Sequence, residues 1–307
     1  MISLPGQRIM NAGVRIFLIS LCLLCFTFAY SQRHSVSEEL HFAHYLIDNY
    51  QYRDAIYILQ KQTASEQKTP AETDSVNYFL GWCYYNLKLL DSSSLYFSTV
   101  KDEPFYKKAA FYNAFDLAYQ KKTNESKNSL NTVLIGNDSA LFKLQNMEFA
   151  GIALLERDYQ TYEVRARNFS YNYFPISDEE QKMTGHYSRL KKMKKKSPAL
   201  AGCMSALIPG IGKMYAGYKG QGLATMITVG ILGISAAESY FRPFDRSINK
   251  GYKSPEFIAF GSVFTIFYVG NIWGSVLSVK LAREHELREI NDEILFDMHI
   301  PLRRIFN

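Results

Sequence analysis

Apolar residues are distributed unevenly along this chain. Three segments, residues 14–29, 221–241 and 257–281, are nearly free of charged side chains. Elsewhere, and most clearly over residues 36–170, apolar positions recur with the 3.6-residue period of amphipathic helices, and strand signals are few. The pattern predicts an all-α protein, with a helical-hairpin array followed by a C-terminal helical membrane domain.

The first apolar segment has the layout of a secretory signal peptide. Arg8 and Arg15 precede a stretch too short for a membrane span, which needs about 20 residues. Ala29 and Ser31 then place small residues before a cleavage site at Gln32. We predict a signal peptide over residues 1–31, with an uncleaved anchor helix as the alternative. The Ala-Tyr-Ser-Gln ending resembles signal peptides of Bacteroidetes-type bacteria, which implies a Gram-negative envelope.

Small residues recur through the helical region with a near-regular spacing. Ala43, Gly81, Ala114 and Gly151 are 38, 33 and 37 residues apart. The second of these units, residues 78–104, resembles the tetratricopeptide pattern Leu-Gly-x-x-Tyr…Ala…Phe…Pro, whose period is about 34 residues. The resemblance implies about four helical hairpins over residues 32–175, which stack because one hairpin cannot bury its apolar face alone.

Tetratricopeptide arrays bind peptides on a concave face lined by the first helix of each hairpin, so the resemblance also implies a protein partner. The residues it places in such a partner-binding groove are Tyr78, Trp82, Asn86, Phe111, Phe115 and Tyr119. Ordinary packing between repeats is the alternative, because the chain contains 22 tyrosines and 21 phenylalanines.

The C-terminal region carries two glycine-rich motifs. They resemble those of a bacterial two-pass membrane domain of unknown function, Ser-Ala-x-x-Pro-Gly-x-Gly-Gln-x-Tyr-x-Gly followed by Tyr-x-Gly-Asn-x-Tyr-Gly. This chain departs from the motifs at Lys213 and Trp273. The motif residues are Pro209, Gly210, Gly212, Tyr215, Gly217, Gly222, Gly270, Asn271 and Gly274.

The motifs and the two long apolar segments predict the architecture of a membrane domain over residues 198–282. Residues 221–241 and 257–281 are long enough to span a bilayer. Pro209 and Gly210 break the helix before them, so residues 199–216 form a re-entrant or interfacial helix. Gly270 and Gly274 allow close approach of the first span or of another copy of the chain, which would make a homo-oligomer. Residues 283–307 are predicted to be an amphipathic tail lying on the membrane or on the repeats.

The formal net charge of +6 is concentrated in a linker over residues 176–197. Its basic run consists of Arg189, Lys191, Lys192, Lys194, Lys195 and Lys196. Because this run adjoins apolar sequence, we predict contact with anionic lipid headgroups rather than nucleic acid. A plain solvated linker is the alternative.

No catalytic or cofactor-binding constellation is evident in the sequence. Gly210 to Lys213 superficially matches a phosphate loop but lacks the upstream glycine and the following Ser or Thr. His41 and His44 share a helix face without an evident third metal ligand, and the four cysteines form no disulfide framework. We therefore predict a non-enzymatic protein without a cofactor or a metal.

A cleaved signal would place the repeats in the periplasm and the protein in the bacterial inner membrane. The loop 242–256 would then be cytoplasmic, in agreement with its excess of basic residues, whereas the basic linker would not. The leading hypothesis is a membrane-anchored scaffold or adaptor with a role in envelope or membrane-protein biogenesis. The alternative is an oligomeric channel or transport accessory that the repeats regulate.

Overall fold

A computed structural model describes residues 36–63, 69–241 and 255–306. Over these ranges the chain forms helices and no strand, so the predicted all-α class is confirmed. The predicted signal peptide and most of the loop between the two long apolar segments lie outside the described residues. In chain order the helices are α1 Val36–Asp48, α2 Tyr52–Thr63, α3 Pro70–Asn86, α4 Leu90–Phe97, α5 Tyr106–Tyr119, α6 Thr123–Thr132, α7 Ser139–Glu156, α8 Tyr159–Ala166, α9 Ser177–Lys192, α10 Pro198–Leu207, α11 Ile211–Ala216, α12 Lys219–Phe241 and α13 Pro255–Phe306.

The chain divides into two compact units. The first ends at Asn137 and also includes Phe306, and the second runs from Asp138 to Ile305. The hairpins α1–α2, α3–α4 and α5–α6 belong to the first unit, and α7–α8 belongs to the second with α9 to α13. The repeat region predicted as one domain over residues 32–175 is therefore shared between two units.

The four hairpins are built around the same turn. Each first helix ends at a residue with a left-handed backbone, namely Tyr50, Lys88, Lys121 and Arg157, with φ between 61° and 65°. The N–H of the next residue donates to the carbonyl five positions earlier at 2.8–3.0 Å, as in a Schellman motif. This turn reverses the chain and satisfies carbonyl groups that the end of the helix leaves unpaired.

Small residues let the two helices of a hairpin approach closely, as their spacing predicts. A Cβ atom on Gly81 would lie 2.6 Å from the ring of Phe97 on α4. The carbonyl of Gly81 accepts a hydrogen bond from Ser93 at 3.0 Å, and Ala114 accepts one from Ser126 at 2.6 Å. In both hairpins the serine lies 12 residues after the small residue, which ties the second helix to the first.

Helix α13 is much longer than the sequence pattern predicts. It contains 52 residues, corresponding to about 78 Å at 1.5 Å per residue. The predicted boundary between a span ending at 281 and a separate tail at 283 does not exist, because the helix passes through it without a break. After the apolar part, the buried residues follow a helical stripe: Ile290, Ile294, Leu295, Asp297, Met298, Pro301 and Leu302.

Candidate functional site

The predicted break at Pro209 and Gly210 lies between α10 and α11. Helix α10 ends at Leu207, α11 begins at Ile211, and Gly210 has a φ of +89°. A Cβ atom on Gly210 would lie 2.1 Å from the carbonyl oxygen of Gly222 on α12. Both the backbone conformation and the close approach therefore require glycine at this position.

Asn271 of α13 bridges this break with its side-chain amide. Its Oδ1 accepts a hydrogen bond from the N–H of Gly210 at 3.0 Å, and its Nδ2 donates to the carbonyl of Ser205 at 3.1 Å. Only 3% of Asn271 is exposed. One carboxamide thus replaces two of the backbone hydrogen bonds that the interrupted helix cannot make.

Hydroxyl groups complete what we call the Asn271 network, formed by Ser205, Gly210, Gly212, Asn271 and Ser275. The Oγ atoms of Ser205 and Ser275 lie 2.7 Å apart, and Ser205 Oγ accepts from the N–H of Gly212 at 2.9 Å. The network is buried between α10, α11 and α13. Nearby, a tyrosine hydroxyl of α13 donates to a carbonyl at the end of α10.

The Asn271 network pairs backbone groups at the break between α10 and α11. Unpaired N–H and C=O groups cost several kcal/mol in an environment without water, and irregular backbone there needs side-chain partners. Asn271 lies 10 residues before the end of the apolar segment at 281, about 15 Å along the helix. The network holds a broken helix pair against α13 at that depth.

Lys213, where the resembling motif has glutamine, has a structural environment of its own. Its Nζ donates to Thr225 Oγ1 of α12 at 2.9 Å. A Cβ atom on Gly274 would lie 3.5 Å from its Cε, so the lysine side chain occupies the space beside this glycine. Lys213 thereby links α11 to α12.

The other motif residues have separate positions. Tyr215 Oη accepts from the N–H of Ser197 at 3.2 Å, and Gly217 ends α11 with a φ of +116°. Pro209 is half-buried in the break, and Gly222 packs against α11. A Cβ atom on Gly270 would meet nothing within 4 Å. Close intramolecular packing of α12 on Gly270 and Gly274, which the sequence suggested, is therefore wrong, because Gly274 faces Lys213 and Gly270 faces open space.

The apolar module, defined as residues 198–281, exposes large apolar side chains. Helices α12 and α13 are long and apolar enough to cross a membrane, and over their most apolar 18 residues only 17% and 6%, respectively, are buried. Exposed side chains along them include Ile227, Ile231, Ile234, Ile266, Phe267 and Trp273. An apolar surface of this extent needs a cover other than water.

The predicted headgroup-binding cations do not form one free cluster. Arg189 pairs with Glu293 of α13, and Lys191 donates to a tyrosine hydroxyl of α9 at 2.6 Å. Lys196 donates to a backbone carbonyl of α11 at 3.2 Å. The remaining cations are exposed at the end of α9 and in the connection that leads into α10: Lys192, Lys194 and Lys195.

The residues predicted to line a partner-binding groove are mostly packed within the first unit. Tyr78, Phe111 and Phe115 are buried, and the Tyr78 ring stacks on Phe105 with centroids 4.5 Å apart. For these three residues the packing alternative describes the structure, because at most 7% of each is exposed and the rings of Tyr78 and Phe115 pack on other aromatic rings of the first unit. The half-buried predicted residues are Trp82 and Asn86, and Tyr119 is exposed.

A cluster of ionisable side chains, of which Glu179, His186 and Asp297 are buried, fixes the end of α13 to α9. Asp297 lies 2.7 Å from His186 Nε2 and 3.3 Å from Lys182 Nζ. The carboxylate of Glu179, itself buried, lies 2.8 Å from a guanidinium nitrogen of Arg304. Helix α7 also approaches this part of α13 closely. A Cβ atom on Gly151 of α7 would lie 2.5 Å from the sulfur of a methionine on α13, so the close approach depends on glycine.

Sequence reasoning missed Ser205 and Ser275 as members of the site. Ser275 lies four residues after Asn271 and so shares its helix face, which is the one signal that could have found it.

No family model, curated protein or solved structure matches this chain.

Proposed function

We propose that this protein is a non-enzymatic, membrane-anchored scaffold that presents a helical-hairpin array to a protein partner. The proposal rests mainly on the two halves of helix α13. Its first half exposes apolar side chains, and its second half packs on helices of the repeat-bearing second unit. One unbroken helix therefore contributes its first half to the proposed membrane anchor and its second half to the proposed scaffold.

Burial of the apolar module in a bilayer is supported by length and surface together. Helix α12 has 23 residues, about 35 Å at 1.5 Å per residue, and the bilayer hydrocarbon is about 30 Å thick. Most large apolar side chains of α12 and of the first half of α13 are exposed. Lipid chains would cover this surface, and the Asn271 network would satisfy the backbone break within the bilayer.

The connection between anchor and repeats is supported by polar contacts as well as by apolar packing. Arg157, at the turn of the α7–α8 hairpin, donates to Asn291 of α13 at 2.8 Å. His186, Asp297 and Lys182 join α9 to the same helix. These contacts fix the hairpin to the anchor, so a partner held by the repeats is held close to the membrane.

The remaining parts of the proposal concern location and partners. We propose that the protein lies in the bacterial inner membrane with its repeats in the periplasm, where it serves envelope or membrane-protein biogenesis. The exposed Lys192, Lys194 and Lys195 precede the apolar module, where they can contact anionic headgroups.

The proposed function is tested by crosslinking in membranes washed with alkaline carbonate. A photo-crosslinking residue replaces Tyr57 or Tyr119, which are exposed side chains of the repeats. We expect the protein to stay in the pellet and to crosslink to a different protein. Recovery in the supernatant contradicts the anchor, and crosslinks only between copies of this chain contradict the scaffold and favour the channel alternative. Digestion of the repeats by protease in spheroplasts tests the periplasmic location, and their protection contradicts it.

A further inference from the structure

A cavity of about 540 Å³ opens in the first unit between α4 and α6, with α5 as its floor. Its floor consists of Asn113 and Leu117 of α5 and of Gln120, which caps the end of α5, and these residues follow one another at helical spacing. Serines and other polar side chains of α4 and α6 form the walls. The volume lies within the range of about 300–1,000 Å³ that is typical of ligand sites.

The corresponding space in the preceding hairpin is closed. There, Tyr84 of α3 stacks on Tyr96 of α4 with centroids 5.5 Å apart and ring planes 4° from parallel. Tyr84 also accepts a hydrogen bond from Gln60 of α2 at 2.8 Å. The next repeat follows after 33 residues, and Leu117 and Ser129 occupy the two equivalent positions. Two smaller side chains thus open the cavity.

The floor of the cavity is also more polar than its counterpart. Asn113 and Gln120 lie where the preceding hairpin has Leu80 and Leu87. Leu80 is fully buried, so this position belongs to the core in one repeat and to the cavity in the next. The polar floor is therefore a property of this hairpin rather than of the repeat pattern.

The carboxamide of Asn113 is held in a fixed orientation. Its Oδ1 accepts from Ser94 Oγ at 2.6 Å, and its Nδ2 donates to Ser129 Oγ at 3.2 Å. A carboxamide offers two donor hydrogens and two acceptor lone pairs, so one of each remains for a ligand. A peptide group, with one N–H and one C=O, complements this remaining pair.

The length of the floor matches an extended chain. Asn113 and Gln120 are seven residues apart, about 10.5 Å along the helix axis. About three residues of an extended peptide cover that distance, at 3.3 Å per residue. The amide nitrogen of Gln120 is buried and has no hydrogen-bond partner in the described residues, so a rotation of this side chain would offer a second donor to such a chain.

We propose that this cavity binds an extended peptide segment of a partner protein through Asn113 and Gln120. The inference rests on the proposed scaffold function and names its binding site. The binding site lies on the face of α5 opposite to Phe115, because Asn113 and Leu117 are each two residues from Phe115, which corresponds to about 200° around the helix. The charged lining residues Asp91, Lys122 and Glu125 together carry a net negative charge, although Lys122 lies 3.9 Å from Asp91, so we expect a basic residue in the part of the peptide that faces them.

The test uses random dodecapeptides displayed on phage and selected on the full-length protein in lipid nanodiscs. Affinities of the enriched peptides are then measured for variants of the cavity. The filling variant Leu117→Tyr/Ser129→Tyr copies the closed hairpin, and we expect it to weaken binding at least tenfold. Asn113→Leu keeps the cavity open and should weaken binding about thirtyfold, because it removes two net hydrogen bonds of about 1 kcal/mol each.

A matched control opens the preceding hairpin by Tyr84→Leu/Tyr96→Ser while leaving the cavity itself intact. We expect this variant to bind the peptides with unchanged affinity and stoichiometry, because its new space has a leucine floor. The proposal is overturned if no peptide is enriched over empty nanodiscs, or if enriched peptides bind the filling variant and Asn113→Leu as well as the wild type. If the filling variant loses its helical circular dichroism, Asn113→Leu alone decides. Pelleting of carbonate-washed membranes that contain the same variants keeps failure of the anchor distinguishable from failure of the cavity.

Discussion

Gly210 is the residue on which the break between α10 and α11 depends most directly. Its backbone lies in the left-handed region, and a Cβ atom would clash with the Gly222 carbonyl at 2.1 Å. We therefore expect Gly210→Ala to lower the melting temperature of the purified protein by several degrees. Gly220, beside which a Cβ atom would meet nothing within 4 Å, is the matched control. Gly220→Ala should be neutral or stabilising by up to about 1 kcal/mol, and equal melting temperatures for both variants would contradict this account.

Asp116 on α5 makes the stability of the first unit depend on pH. Burial raises the pKa of this carboxyl to about 8 from 3.8, against smaller opposing effects of Ser93 and Lys88. Between these two values the folded protein keeps a proton that the unfolded chain has released. The free energy of unfolding therefore falls as the pH rises through this window and levels off above pH 8.

The substitution Asp116→Asn removes this titration while keeping a similar shape. We expect the variant to gain stability relative to the wild type as the pH rises from 5 to 8, by at most about 1.4 kcal/mol per pH unit. Urea unfolding followed by Trp82 fluorescence, in a Trp273→Phe background, measures the difference. A stability difference that stays constant from pH 5 to 8 would show that Asp116 does not titrate in the folded state.

Some residue-level features could be predicted from the sequence, and others could not. Gly210 and Asn271 stand out because their types and spacing imply a break and a polar group within apolar sequence. The bond between Ser205 and Ser275 joins residues 70 positions apart, and no local pattern contains that separation. The same holds for the cavity at Asn113, which becomes visible only when its repeat is aligned with the closed one.

At the level of helices, the packing of α7 against the end of α13 controls the connection between repeats and anchor. A Cβ atom on Gly151 would lie 2.5 Å from Met298 Sδ and 2.7 Å from its Cγ. We expect Gly151→Ala to loosen residues 283–306 and to speed their hydrogen exchange at least tenfold. The double variant Gly151→Ala/Met298→Ala should recover part of the protection, because the smaller residue makes room for the added methyl group. Absence of any recovery would show that the two residues act independently.

The helical hairpins were predictable because small residues, turns and apolar positions recur with one period. The faces of the hairpins were not, because periodicity identifies an apolar stripe without showing what covers it. Phe111 and Phe115 were predicted to line a groove, and they are buried instead. The sequence does contain a signal for the continuity of α13, because no glycine or proline occurs between Gly274 and Pro301 to stop the helix. The charged residues that follow the apolar segment obscured this signal.

For the whole molecule, the central claim is that α12 and the first half of α13 lie in a lipid bilayer. The two units divide the hairpins between them, and the second unit contains the apolar module. If these helices span a bilayer, the proposed scaffold would bring whatever its repeats bind to a membrane surface. The claim therefore depends on where the exposed apolar side chains are located.

Spin labels at residues 231 and 266, in a cysteine-free background in proteoliposomes, test this claim most directly. Ile231 and Ile266 are exposed side chains of α12 and α13, and Asn124 on α6 is the control position. We expect labels at 231 and 266 to collide readily with oxygen and poorly with a water-soluble nickel complex, because oxygen concentrates in lipid. The label at 124 should show the opposite preference. Strong nickel collisions at both 231 and 266, equal to those at 124, would contradict the membrane anchor.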